Sequence, residues 1–199
     1  MTAWIKMKTD AEAAADALAD DGELQEVLHQ ARTPHDTVDN VMRVHSLRPA
    51  TMHGHIALYR AALHNDRNTL DPWLQETVSS YVSILNDCPY SLANHWANAR
   101  HLIGDDKKSD AIEKAMKARS PEEALTGSDL ALMQYAAKLT LTPGAMVQAD
   151  IEALRSSGLD DGQILEANQI IGYFNYANRC LNGLGVSTEG DVVGYYADT

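Results

Sequence analysis

Glu76, Cys88, Ser91 and His95 are the residues of this chain best suited to chemistry, and they stand at the spacing Glu-x11-Cys-Pro-Tyr-Ser-x3-His. A helix opening at Cys88-Pro89 puts Cys88, Ser91 and His95 on one stripe, because positions three and four apart share a helix face. Cys88 then occupies the N-cap, where free amides and the helix dipole favour an anion. A thiol so placed is expected to have its pKa lowered, from about 8.5 into a range of roughly 3.5–7.5. As a thiolate it could attack a peroxide or a disulfide. His95 would take or relay a proton. Glu76, on the preceding helix, would orient His95 or act as a buried base. Singly, each residue has a plainer role: a small buried hydrophobe, a first-turn serine, a structural histidine and a surface carboxylate. Only their joint spacing points to a site.

The elements that must position these groups read as helices. Asp10 to about Gln30 has helical composition, interrupted around Asp20-Asp21-Gly22. Val38 to Ser46 carries apolar residues at helical spacing, and Pro49 can open a helix with Met52, Ile56, Tyr59 and Leu63 on one face. Asp71-Pro72 reads as an N-cap with proline at the first helical position, and that helix should stop near Asn86-Asp87. The next should run from Cys88-Pro89 to about Ile103, with Gly104 as its stop. Asp105 to Lys108 reads as a charged turn, and Asp110 to Ala118 as a short helix. Further helices are expected over Ser128–Leu139, from Thr142-Pro143 to near Gly158, and from about Asp161 to Asn182. Val186 to Thr199 reads as a loosely ordered tail whose Val192, Val193, Tyr195 and Tyr196 could dock on a neighbour. The sum is an all-α single domain over residues 1–199, with roughly seven to nine helices.

Composition narrows the function. Lys+Arg number 16 against 28 Asp+Glu, a formal net charge of -12. Such a surface repels phosphate backbones and anionic lipid, so neither nucleic acid nor membrane is an expected partner. No apolar run approaches the ~20 residues of a membrane span, and the first ten residues lack the apolar stretch of a signal peptide. Two cysteines, Cys88 and Cys180, are too few for a disulfide framework, which makes the cytoplasm the expected compartment. The eight histidines show no zinc-site spacing, and there is no phosphate-cradling or dinucleotide loop, so neither metal nor cofactor is expected. Asn175, Asn178 and Arg179 should cap or pair with neighbouring elements, or one of them could reach a substrate. Trp73, Tyr81, Tyr90 and Trp96 cluster around the motif, as core packing or as the lining of an apolar pocket for an organic substrate.

The motif resembles the Glu-x11-Cys-x-x-Cys-x3-His signature of the AhpD-like alkylhydroperoxidases, within the carboxymuconolactone decarboxylase superfamily, and matches it at Glu76, Cys88 and His95. Val82 to Tyr90 is similar to the family's approach to its cysteine pair. Ile164–Ala167, Tyr173–Arg179 and Leu184-Gly185-Val186 look like the closing helix of its peroxidase-related branch, and Pro49 to Leu63 resembles that branch too. The resemblance covers about Asn40 to Val186, leaving an N-terminal helical extension and a short C-terminal tail. It implies an AhpD-like helical fold, a homo-oligomer, and a peroxidase-type oxidoreductase that takes a small-molecule hydroperoxide or organic substrate and an external thiol reductant. Its catalytic set would be Cys88, His95, Glu76 and Ser91.

Two positions depart from the family. Its second cysteine, usually the one that attacks the hydroperoxide, is Ser91 here, and the spacer histidine of the best-known members is Tyr90. Serine cannot close the disulfide of the two-cysteine cycle. Three routes stay open: Cys88 attacks and its sulfenic acid is reduced by an external thiol, Cys180 acts as resolving partner, or Ser91 is an introduced replacement. The resemblance also allows a decarboxylase-like enzyme that needs no sulfur and works through Glu76 and His95, or a non-catalytic binding protein.

Overall fold

The computed structural model describes residues 2–18 and 22–196. Ten α-helices run along the described residues: α1 (Asp10–Ala17), α2 (Glu23–Gln30), α3 (Asn40–Arg43), α4 (Pro49–Leu63), α5 (Pro72–Leu85), α6 (Pro89–Ile103), α7 (Asp106–Lys117), α8 (Gly127–Leu141), α9 (Gln148–Ser156) and α10 (Asp161–Leu184). Nine of them have seven residues or more, at the upper edge of the sequence expectation. Proline occupies the first position of α4, α5 and α6, where its missing N–H costs nothing and its fixed φ suits a helix. Asp160 closes a capping box with Gln163 at the start of α10, and Gly185 ends that helix at φ 60.

α5 is the central element, with eleven of its 14 residues buried. Its sequence is polar for such a position. The hydroxyls of Thr77, Ser79, Ser80 and Ser83 resolve the conflict by bonding to the carbonyls of Trp73, Gln75, Glu76 and Ser79, at 2.6–2.8 Å. Satisfied within their own helix, these small side chains sit in the interior without orphaned donors. Val78, Val82, Leu132, Met133, Ile170 and Phe174 fill the main core between α5, α8 and α10. A second cluster joins Val27 and Leu28 of α2 to Met52 and Ile56 of α4. Each such residue contributes roughly 1.5–3 kcal/mol by its burial.

The joint between α5 and α6 is three residues long, Asn86 to Cys88. Asp87 takes the left-handed conformation (φ 49), and its amide bonds to the Ile84 carbonyl at 3.1 Å. The Cys88 amide reaches back to the Ser83 carbonyl at 2.9 Å, completing a Schellman motif. The Asn182 side chain holds the Asn86 carbonyl at 2.9 Å, and Asn86 donates to Asn175 Oδ1 at 3.1 Å. Asn175 thus pairs with a neighbouring element, and Asn178 donates to Ser83 of α5 at 3.3 Å, as expected, whereas Arg179 bonds back to Asn175 of its own helix at 2.7 Å.

Three boundary expectations change. Asp105 to Lys108 is the start of α7 rather than a turn, because Asp105 caps it by accepting from the Lys108 amide at 3.0 Å. Pro143–Ala145 forms a separate 3-10 turn before α9. The tail is tied down where looseness was expected: the Asn40 side chain donates to the carbonyls of Ser187 and Glu189, each at 3.0 Å, and Asp191 accepts from the Tyr90 hydroxyl at 2.6 Å. Of the earlier readings, the interruption at Asp20-Asp21 and the last three residues, 197–199, lie outside the described residues. No helix of the described residues is long and apolar enough to cross a membrane.

Candidate active site

Glu76 and His95 meet across the α5–α6 joint. The Nδ1 nitrogen of His95 lies 2.7 Å from Glu76 Oε2, and the two side chains are 13% and 5% exposed. An ionised carboxylate can only accept, so the hydrogen of this bond sits on Nδ1. Phe174 packs edge-on against the imidazole, with ring centroids 4.5 Å apart, and limits its rotation. The second carboxylate oxygen, Oε1, accepts from Asn98 Nδ2 at 3.2 Å. Asn98 stands three residues beyond His95 on α6 and is itself buried. The buried carboxylate therefore has a donor on each oxygen, which is the condition for keeping a charge inside a fold.

His95 opens on a cavity of about 610 Å³. Ser91, Asn94 and Asn98 of α6, Tyr59 of α4, and Tyr173, Phe174 and Ala177 of α10 line it with His95. Residues Gln30 to Met42 contribute a further wall, and Val192, Gly194 and Tyr195 close it from the C-terminal segment. Ser91 shares a 2.9 Å hydrogen bond with Ser83, whose hydroxyl also accepts from Asn178 Nδ2 at 3.3 Å. Its oxygen is thereby held at the cavity wall, between α5 and α10.

Cys88 is placed differently from the sequence expectation. It is 1% exposed, packed among Ala3, Val44, Tyr90, Leu181 and Val186, and is absent from the cavity lining. It does occupy the N-cap of α6, but no side-chain hydrogen bond caps that helix. Burial pushes the thiol up from its ordinary value, and the amides of Ser91 and Tyr90 oppose the rise only in part. The expected lowering of the pKa is corrected on this ground: removing the sulfur from water outweighs the helix terminus. Cys180 is half-buried on α10, where its thiol interacts with the Tyr176 hydroxyl, and both cysteines are free.

Two further groups, one reaching the cavity through Tyr173 and one through Asp39, come together only in the fold. His45 Nε2 lies 2.9 Å from His55 Nδ1, and His55 Nε2 lies 2.8 Å from the Tyr173 hydroxyl. Burial lowers His45, and burial together with His45 lowers His55 to about 4, so both are neutral at pH 7. Asp39, which lines the cavity, is pushed up to about 6 by burial and by Asp191, with His35 pulling the other way. Spacing gave no warning of the first group, because His45 and His55 sit on separate helical segments. Asn98 was within reach of the sequence, since it lies three residues from His95 on the same helix. Among the described residues, no group of three or more His, Cys, Asp or Glu could hold a metal ion.

No family profile matches this sequence, and no curated protein matches it. Solved structures do. One is the alkylhydroperoxidase AhpD core of an uncharacterized peroxidase-related protein from Ralstonia eutropha JMP134, with a TM-score of 0.74 and 21% identity over 96% of this chain and 94% of that one. The chain has the AhpD-core fold. An uncharacterized peroxidase-related protein from Silicibacter sp. TM1040 matches at a TM-score of 0.69 and 24% identity, over 78% of each chain. A variant of the debrominase Bmp8, in complex with 2,3,4-tribromopyrrole, matches at a TM-score of 0.65 and 12% identity, over 84% of this chain and 82% of that one. The all-α AhpD-like architecture expected from the sequence is therefore the one observed.

Proposed function

We propose that this AhpD-fold protein is an acid–base enzyme acting on a small organic molecule, with His95 as the proton-transferring group and Glu76 as the residue that orients it. The 2.7 Å bond between Glu76 Oε2 and His95 Nδ1 carries this reading. It leaves Nε2 as the free base, on a residue that lines the cavity. A proton taken by Nε2 makes an imidazolium whose charge the adjacent carboxylate stabilises. Ser91, and Asn94 beside it, supply hydrogen bonds to a polar group of the substrate. A cavity of about 610 Å³ is the size that holds an organic ligand. By analogy alone, the bromopyrrole complex of Bmp8 supports this scaffold seating a ring compound. Substrates with an acidic carbon next to a carbonyl, such as lactones and keto acids, suit a single base of this kind.

The second reading is a thiol-dependent hydroperoxide reductase acting through Cys88 with an external thiol. The peroxidase-related neighbours and the N-cap position of Cys88 favour it. The burial of that thiol away from the cavity weighs against it. One set of variants separates the two. Turnover of a lactone or keto acid should survive Cys88→Ala and be lost in His95→Ala. Peroxide consumption with dithiothreitol or a lipoyl donor that disappears in Cys88→Ala would overturn the acid–base reading. Ser91→Cys, which places sulfur on the cavity wall, should create peroxide turnover that the parent chain lacks.

A further inference from the structure

Three hydrogen bonds in series join the C-terminal segment, through the acid of the site, to its imidazole. The Tyr195 amide donates to Asn98 Oδ1 at 2.7 Å, Asn98 Nδ2 donates to Glu76 Oε1 at 3.2 Å, and Glu76 Oε2 holds His95 Nδ1 at 2.7 Å. We propose that residues 187–196 form a strap that positions the Glu76–His95 pair through Asn98. The inference rests on the acid–base reading and names a positioning residue for it.

A side-chain amide has one accepting and one donating end. A backbone N–H can only donate, so the Tyr195 amide selects the orientation in which Oδ1 faces the strap and Nδ2 faces the carboxylate. The flipped orientation would set two acceptors against each other on each side. Glu76 is 4% exposed, so no bulk water replaces a lost donor there. Without Asn98, Oε1 and Oε2 would both compete for the His95 hydrogen, and the ring could follow either.

The strap is built to make this approach. Asp191 accepts from the Tyr90 hydroxyl at 2.6 Å and from the Asn40 amide at 3.0 and 3.1 Å. The Gly194 amide donates to Asn94 Oδ1 at 3.1 Å, one helical turn before Asn98. Gly194 has φ 89, and a Cβ there would lie 3.0 Å from the Ala97 Cβ, so glycine serves both the conformation and the close contact. Two asparagines four apart on α6 thus receive two successive parts of the strap, on either side of His95.

The test labels histidine with nitrogen-15 and follows the hydrogen-bonded Nδ1–H resonance of His95 in the full chain. Asn98→Ala and Tyr195→Pro should both move or broaden that signal. Each should also lower kcat on any lactone or keto acid the parent turns over by about tenfold or more, the worth of one hydrogen bond to a charged group, with KM unchanged. Tyr195→Phe keeps the amide and should leave the His95 signal where the parent has it. Tyr195 is 47% exposed, so Tyr195→Pro can be read even if Asn98→Ala does not fold. A parent-like His95 signal in Tyr195→Pro overturns the proposal. Glu76→Gln separates the two levels of argument. If Glu76→Gln leaves the His95 signal unmoved, the acid–base pair itself fails. If it moves the signal while Tyr195→Pro does not, only the role of the strap fails.

Discussion

Oε2 of Glu76 and Nδ1 of His95 stand 2.7 Å apart, on helices joined by a three-residue turn. The pair is worth testing for stability as well as for turnover, because the acid is interior. Glu76→Ala strips a partner from His95 and from Asn98 at once and should cost about 2–4 kcal/mol, by the usual penalty for buried donors left unpaired. Glu76→Gln keeps shape and an acceptor, and should cost about 1 kcal/mol or less. Urea denaturation of both variants measures the difference. A Glu76→Ala variant as stable as Glu76→Gln would mean that the two donors are satisfied elsewhere.

Cys180, outside the motif, should react before Cys88, the motif's own thiol. Cys180 is half-buried, whereas Cys88 is 1% exposed and has its thiol pushed up by burial. Iodoacetamide at pH 7 should modify Cys180 first and reach Cys88 only when the protein opens, because the thiolate is the reactive form. Peptide mass mapping over time reads the order directly. Rapid modification of Cys88 would revive its role as nucleophile.

His55 should make the fold sensitive to acid. Its folded pKa, about 4, lies below the ordinary value of 6.5 because the ring is buried beside His45. Below pH 6.5 the unfolded chain binds a proton that the folded chain refuses, so stability falls as pH drops from 6.5 toward 4. The loss from this residue is on the order of 3 kcal/mol across that window. His55→Gln should flatten this part of the profile in melts taken at pH 7, 6, 5 and 4. An unchanged slope would place the acid sensitivity elsewhere.

Tyr90→Phe removes the hydroxyl that holds Asp191 at 2.6 Å and accepts from the Val41 amide at 3.2 Å. Hydrogen exchange at the Gly194 and Tyr195 amides should then accelerate, by about ten- to hundredfold if the bond to the carboxylate has its usual strength. Amides within α5 should exchange as before. Unaltered exchange at residues 194 and 195 would show that the segment is held without this clasp.

Helices α4, α5, α6 and α10 could be read from the chain because their signals are local: proline at the first position, a capping Asp160, a glycine at the end. The approach of Glu76 to His95 was also foreseeable, since a tight turn leaves two helices few ways to pack. The state of Cys88 was not. An N-cap is a one-dimensional feature, whereas the burial that raises this thiol comes from Ala3, Leu181 and Val186, distant in sequence. The same holds for His45, His55 and Tyr173, which meet only after α4 and α10 have packed, and for Tyr195, whose amide bonds to Asn98 from 97 residues away along the chain. What depends on neighbours along a helix can be seen in one dimension; what depends on who fills the remaining space cannot.

The left-handed Asp87 turn also explains why eleven residues separate Glu76 from Cys88. An α-helix advances by about 1.5 Å and 100° per residue, so one residue inserted between Glu76 and Ser83 would swing the carboxylate a quarter-circle away from the ring. The interval is a gauge, cut to length by the geometry of an antiparallel hairpin, and it constrains any descendant that keeps the acid and the imidazole in register, whatever atom occupies position 91.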